Sequence, residues 1–176
     1  MRLFVAVPVP AGIREKAAAL GMEIARDGIV PVRPGNMHLT LRFLGETEGR
    51  KLAQVESALR GIAFAPFECR VKGVGVFPSE NFVKVVWAGV ESVGALESLA
   101  KDVQDALRGF GGDERFSAHM TIARVKRKTD LHAFLETHRN DEFGSFTASS
   151  FELIESALGP GGPEYGTVEV FEAGKK

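Results

Sequence analysis

The sequence predicts a largely antiparallel α+β fold, and three observations carry that prediction. Two-residue alternation of polar and apolar side chains marks half-buried strands, while apolar residues recurring every three to four positions mark helices between them. Strand runs also follow one another across short turn sequences, giving hairpins and long returns in place of a doubly wound parallel sheet. Finally, one short segment occurs twice, as His38-Leu39-Thr40-Leu41 and as His119-Met120-Thr121-Ile122. A single His-x-Thr arises easily by chance, but two copies on strand-like alternation indicate a chain built from two related halves.

Leu3 to Val9 reads as a buried strand. Ile13, Ala17, Leu20 and Ile24 then recur at helical spacing, and Gly28 closes that helix. Ile29 to Arg33 is short and extended, and Pro34-Gly35 is a turn signal that starts the first His strand. A second helix spans Gly49 to Ile62 with Leu52, Val55 and Leu59 on one face. Phe67 to Phe77 and Phe82 to Val90 form a hairpin through Pro78-Ser79-Glu80-Asn81. A third helix carries Val93, Leu96, Ala100, Val103, Leu107 and Phe110, ended by Gly109, Gly111 and Gly112. The second His strand follows, then a short helix to His138 capped by Thr129 or Asp130. Two strands, Ser149 to Leu158 and Tyr165 to Glu172, close the chain around a Gly/Pro loop.

The 176 residues suffice for one sizeable core or two small lobes sharing one. A composition of 44% hydrophobic and 26% charged residues is that of an ordinary soluble domain. The net charge of −1 excludes a general attraction for polyanions, so any nucleic-acid contact has to come from local clusters. The single Cys69 forms no internal disulfide, which fits a reducing compartment. The run from Leu3 to Val9 is too short to span a bilayer, and no cleavable leader is evident; a cytoplasmic location is expected.

In the first motif strict alternation sends Leu39, Leu41 and Phe43 to a core and puts His38, Thr40 and Arg42 in one row on the opposite face. Three hydrogen-bonding side chains on a concave surface suit an anion. With its surroundings this pattern resembles the 2H phosphoesterase superfamily, in the branch of RNA 2′,3′-cyclic phosphodiesterases (the LigT-like, "2′-5′ RNA ligase" proteins). The likeness runs nearly end to end. It includes Arg2-Leu3-Phe4-Val5-Ala6-Val7, the closing Phe43-Leu44-Gly45 of the first motif and Trp87-Ala88-Gly89-Val90. It also includes a tail with Ser156, Leu158, Pro160, Gly162, Pro163 and Tyr165. One departure is Ala118, where that branch usually has proline before the second histidine.

The resemblance implies one domain over residues 1–176, with two pseudo-symmetric lobes around a central cleft, helices outside and one His strand from each lobe. It implies a hydrolase that opens 2′,3′-cyclic phosphate ends of RNA or nucleotides to 2′-phosphomonoesters. The expected substrates are RNA ends, tRNA fragments among them, or cyclic nucleotides, and the expected state is a monomer with no membrane contact. Such hydrolysis needs a water deprotonated on one side of phosphorus and a leaving oxygen protonated on the other. Two imidazoles supply both functions near neutral pH. By resemblance His119 is the proton acceptor and His38 the proton donor, although the sequence itself is symmetric and supports the reverse equally. Thr40 and Thr121, two residues along each strand, share the histidine face and can donate to the phosphoryl oxygens. No metal or other cofactor is expected, because His-x-Thr brings no second ligand. Run backwards, the same site would join cyclic-phosphate and 5′-hydroxyl RNA ends through a 2′-5′ bond.

Further candidates are weighed on position. Arg124 matches a family arginine at the phosphate site, but alternation puts it on the wrong face unless a bulge or strand end intervenes; Arg42 has the correct parity. Lys126, Arg127 and Lys128 follow the second motif and are RNA-contact candidates. His132 and His138 lack the threonine partner and read as surface residues. Trp87 and the phenylalanines read as core, with Phe77 near a turn as the one base-stacking candidate. Gly159-Pro160-Gly161-Gly162-Pro163 lacks the ending of a P-loop and reads as a turn. A reading from another class is a non-catalytic module that binds RNA ends in the same cleft.

Overall fold

The computed structural model describes residues 1–112 and 114–174. The chain runs β1 (Arg2–Pro8), α1 (Ala11–Glu23), β2 (Ile29–Pro31), β3 (His38–Glu46), α2 (Leu52–Arg60), β4 (Phe67–Ser79), β5 (Phe82–Glu91) and α3 (Ala95–Ala106). It continues through β6 (His119–Val125), α4 (His132–His138), β7 (Glu142–Ala148), β8 (Ser150–Gly159) and β9 (Gly162–Glu172). Two sheets result, ordered β3-β1-β8-β9 and β2-β6-β5-β4-β7, and every pairing is antiparallel. This is the expected α+β class, with one His strand in each sheet. No helix of the described residues is long and apolar enough to cross a membrane.

The two faces of β1 explain why the site lies where it does. Leu3, Val5 and Val7 enter the main core, which also takes Ile13, Ala17 and Leu20 of α1 and Leu96, Leu99 and Val103 of α3. Phe4 and Ala6 point the other way, into a small separate cluster with Ile154 and Tyr165. The strand therefore reads as a continuous apolar run because both faces are covered. The second face forms the floor beneath His38.

Several elements differ from the sequence expectation; α2 starts at Leu52, after a 3-10 turn over Gly49–Lys51, and three other differences have a clear physical reason. Strand β7 was not anticipated: its alternation is interrupted by Gly144, and only Phe143 and Ala148 are buried on an edge strand. Helix α3 begins two residues after Val93, because Val93 (φ 52°) and Gly94 (φ 82°) are both left-handed, and it ends at Ala106, before Phe110. The final hairpin is tighter than expected, with Gly159 paired to Gly162 and Pro163 already within β9.

The larger correction concerns the two His strands themselves. In β3, Ala6 pairs with Thr40 but Val5 pairs with Arg42, so Leu41 is the extra residue of a β-bulge. In β6, Trp87 pairs with Thr121 but Val86 pairs with Ala123, which makes Ile122 the extra residue. Each bulge falls three residues after its histidine and reverses the parity of the residues that follow, in β3 as far as a second register shift at Leu44. Arg42 is consequently buried, 8% exposed, and not in the row with His38 and Thr40; Phe43, expected in the core, is 49% exposed. The same bulge in β6 brings Arg124 onto the histidine face, the condition that alternation alone could not meet.

Arg42 donates from Nε (3.1 Å) and Nη2 (2.7 Å) to the carbonyl of Phe110, binding β3 to the segment that follows α3. Removing the guanidinium leaves that carbonyl short of its partner, at a cost of about 2–3 kcal/mol for a buried acceptor. Urea denaturation of Arg42→Ala is expected to give a loss of that size, while a change under 0.5 kcal/mol on the same order-of-magnitude scale would mean the clamp is dispensable.

Candidate active site

His38 and His119 are the first residues of β3 and β6, each preceded by a loop carbonyl that orients its ring. His119 Nδ1 lies 2.8 Å from the carbonyl oxygen of Ser117. A carbonyl only accepts, so Nδ1 carries the proton there and Nε2 is left for chemistry. His38 makes the corresponding bond to the backbone of Asn36. In both strands the oriented histidine thus uses the residue two positions upstream.

The two strands line one cavity of about 600 Å³. His38 and Thr40 come from one sheet, and His119, Thr121 and Arg124 from the other. Rings hold the histidines from behind. Phe4 stacks on His38 with centroids 4.7 Å apart, and Tyr165 meets the same ring edge-on at 5.4 Å. On the other side Phe77 meets His119 edge-on at 5.1 Å and is itself backed by Trp87 at 5.2 Å. Trp87 lies over Gly75, where a Cβ would come within 2.3 Å of the indole, so only glycine allows that approach.

This packing sets the electrostatics. Burial among apolar rings is the main reason His38 is lowered to about 4; the Asn36 bond opposes it, and the positive charges of Arg124 and a protonated His119 add to it. His119 is also lowered, again first by burial and then by Arg124, with the Ser117 bond acting in the other direction. Both shifts favour the neutral imidazole, and Arg124 is a charge that acts on both rings.

The remaining candidates separate. Lys126 lines the cavity beside Arg124. Arg127 is paired with Asp27 on the outer surface, and Lys128 is exposed and not part of the cavity wall. Arg42 points away from this row, as described. His132 is a surface residue raised by its bond to Asp130, whose Oδ1 also accepts the His132 amide at 3.0 Å in the first turn of α4. His138 is not the surface residue expected: its side chain is 19% exposed and lies between Asp141 (2.6 Å) and Glu23 (3.4 Å). The Gly/Pro turn holds as a turn, but Gly161, Gly162 and Pro163 also form one wall of the cavity. Among the described residues no group of three or more His, Cys, Asp or Glu side chains is arranged to hold a metal ion.

Sequence reasoning missed Arg33, Asn36, Phe43 and Tyr165, all of which line the cavity. Asn36 does double duty: its backbone binds His38 and its Nδ2 donates to Pro163 at 2.9 Å, tying the β8–β9 tip to the His38 loop. Tyr165 stands in the tail segment that resembles the family, which was a usable signal; Arg33 and Asn36 had none beyond lying beside Pro34-Gly35.

A family model described as LigT like Phosphoesterase matches residues 7–87. An Archaeoglobus fulgidus protein named RNA 2′,3′-cyclic phosphodiesterase is 42% identical over 98% of this chain and 100% of its own length. The chain belongs to the LigT-like RNA 2′,3′-cyclic phosphodiesterases. A Methanocaldococcus jannaschii protein of the same name is 32% identical over 96% of this chain and 99% of its own. Among LigT-like structures, a Thermus thermophilus protein superposes with a TM-score of 0.84 at 30% identity, covering 98% of this chain and 97% of that one. Escherichia coli LigT complexed with 3′-AMP superposes at 0.81 and 25% identity, covering 98% of each chain. The protein is therefore an enzyme, a phosphodiesterase, and not a non-catalytic end-binding module. The family model ends at residue 87, before the second histidine motif, and the full-length relatives span that part of the chain as well.

The lowered His38 has a consequence for stability. Its folded value of about 4 lies below the ordinary value of 6.5. Between the two, the unfolded chain binds a proton that the folded chain does not. Stability is full above pH 6.5 and is lost as pH falls toward 4, by at most about 3 kcal/mol from this group. Denaturation midpoints of the parent and His38→Asn across this window are expected to converge toward the acid end; parallel curves would assign the acid loss elsewhere.

Proposed function

We propose that this enzyme hydrolyses 2′,3′-cyclic phosphate ends of RNA, tRNA fragments among them, and of nucleotides, to 2′-phosphomonoesters, acting as a monomer without a metal ion. The observation that carries the reading is the pair of His-x-Thr strands, one from each sheet, lining one cavity with Arg124 on the same face. An attacking water gives its proton to Nε2 of His119, the water oxygen bonds to phosphorus, and the P–O3′ bond breaks. The departing 3′ oxygen takes the proton of His38, leaving the phosphate on the 2′ oxygen. Thr40, Thr121 and Arg124 would meet the charge that builds on the non-bridging oxygens.

The pKa shifts support this division of labour. A neutral His119 is ready to act as base. His38 is a strong acid once protonated, since a low pKa favours giving the proton to an alkoxide. The proton is taken up from solvent as the substrate binds: a phosphodiester anion in the cavity offsets Arg124 and raises both histidines. With a 5′-hydroxyl end in place of water as the attacking group, the same displacement would join the two ends through a 2′-5′ bond, using the same groups.

Incubation with a 2′,3′-cyclic mononucleotide in the presence of a chelator is expected to yield the 2′-phosphate alone. Either His38→Ala or His119→Ala should lower turnover by about 10²–10⁴, with the double variant little worse than the worse single, because paired proton-transfer groups act as a unit. Near-parental activity in either single variant, or dependence on an added divalent ion, would overturn the mechanism.

For RNA, the cavity wall supports Arg33 and Lys126, not Arg127, as contacts for flanking phosphates, and gives Lys128 no place in it. Each phosphate neutralised on a single strand contributes a slope of about −0.7 in log affinity against log salt. Arg33→Ala with Lys126→Ala should flatten the oligonucleotide slope by about 1.4, two such contacts, and leave that of Arg127→Ala with Lys128→Ala near the parent. The opposite pattern would move the RNA track to the outer surface.

A further inference from the structure

The β8–β9 hairpin outruns its sheet before it reaches the site. Strand β8 pairs with β1 from Glu152 to Ser156, and Arg2, the first residue of β1, stands opposite Ser156. Ala157 to Glu164 therefore lie past the end of β1 and pair with one another around Gly159 and Gly162. His38 is at the opposite end of the same sheet, against Pro8. Yet Pro163 and Tyr165 line the cavity with His38, and the Tyr165 ring lies 5.0 Å from that of Phe4. The two-stranded arm thus turns back over the second face of β1. A register shift between Leu153 and Ile154 supplies a bend.

Three contacts hold the arm against the His38 loop. Asn36 Nδ2 donates to the Pro163 carbonyl at 2.9 Å. Arg33 lies so close to Gly161 that a Cβ there would come within 2.6 Å of Nη2. Tyr165 packs edge-on against both Phe4 and His38. The anchor itself is well fixed. Asn36 ends a 3-10 turn in which its amide donates to Arg33 (2.9 Å) and that of Met37 to Pro34 (3.2 Å), and Arg14 Nη1 adds a bond to the Pro34 carbonyl at 3.1 Å. The other half of the site needs no such tie. The rings behind His119 come from β4 and β5, and β5 pairs directly with β6, Gly89 opposite His119.

We propose that Asn36 is a positioning residue for the reaction: by anchoring the arm at Pro163 it seats Tyr165 against His38, keeping that imidazole covered and aimed into the cavity. The inference rests on the proposed role of His38 as proton donor. Phe4 covers the ring from within the sheet, whereas Tyr165 covers it only while the arm is docked. The other titratable groups lining the cavity with His38 are Arg33, Lys126, Arg124 and His119, all cationic when protonated. They oppose a charge on His38 whether or not the arm is docked; what docking changes is the access of water to the ring. Releasing the arm hydrates His38, weakens the burial that holds its pKa down, and raises its proton affinity. Truncating the Asn36 side chain leaves its backbone bond to His38 in place, so the sign of the effect is that of hydration.

The test follows the imidazole signals of His38 and His119 by NMR as pH is varied. Asn36→Ala should raise the His38 midpoint by about one pH unit, with a much smaller change at His119. Tyr165→Ala should raise it as far, and the double variant no further than the larger single, because both remove one contact. Tyr165→Phe, which keeps the ring, should retain the parental midpoint. With adenosine 2′,3′-cyclic phosphate as substrate, kcat of Asn36→Ala should fall about tenfold, the cost of a displaced proton donor. An unmoved His38 midpoint in Asn36→Ala, equal shifts of both histidines, or additive shifts in the double variant overturn the proposal. A Tyr165→Phe midpoint as high as that of Tyr165→Ala, or a parental kcat in Asn36→Ala, does the same. If the parent does not hydrolyse the substrate, or His38→Ala keeps its kcat, the two-histidine reading fails instead, and the titrations still decide whether Asn36 seats Tyr165 on His38.

Discussion

A strand that buries one face by strict alternation can offer a cleft only every second residue, and a histidine at the strand start would then exclude the residue five positions on. The two bulges at Leu41 and Ile122 remove that restriction. Each inserts one residue, lets two successive side chains enter the core, and returns the fifth residue after the histidine to the cleft. What each strand gives the site beyond its histidine and threonine depends on this local reversal. It brings Arg124 beside His119 and Thr121, exposes Phe43 beside His38 and Thr40, and turns Arg42 inward to clamp the carbonyl of Phe110. Bulges commonly re-aim side chains at active sites, and here the same one is used twice.

The duplicated geometry carries unequal chemistry. Both histidines are oriented by the backbone two residues upstream, and both are backed by aromatic rings. At the bulge-returned position, however, one half has phenylalanine and the other arginine. His38, stacked on Phe4 and flanked by Tyr165, is in the more apolar environment and is lowered to about 4. A symmetric scaffold thus gives two imidazoles different surroundings, and different surroundings shift the pKa values of like groups apart.

The cost of this arrangement is that a protonated imidazole, Arg124 and the apolar rings cannot coexist comfortably in the empty cavity. Burial and like charge favour neutral histidines, and a phosphate anion reverses the second of these effects. Substrate charge is therefore part of the active electrostatics, and the protein alone is only half of it.

By itself the sequence determined the fold class, most elements and the paired His-x-Thr strands, because alternation, helical spacing and turn residues are local signals. It also carried the family resemblance that named His38, His119, Thr40, Thr121 and Arg124 together. It could not decide which face Arg42, Phe43 and Arg124 occupy, since a bulge is a property of strand pairing: Leu41 and Ile122 become extra residues only against the partners of Val5–Ala6 and Val86–Trp87. Nor could it show that Tyr165, for all its place in the family-like tail, meets His38: it stands on a distant hairpin, brought there only when β8 pairs with β1 and β9 with β8. Arg33 and Asn36 lie just before His38 in the chain but carried no signal of their own. The strand β7 escaped for a related reason, as an edge strand interrupted by Gly144 has too little buried alternation to be seen without the β4 edge it completes.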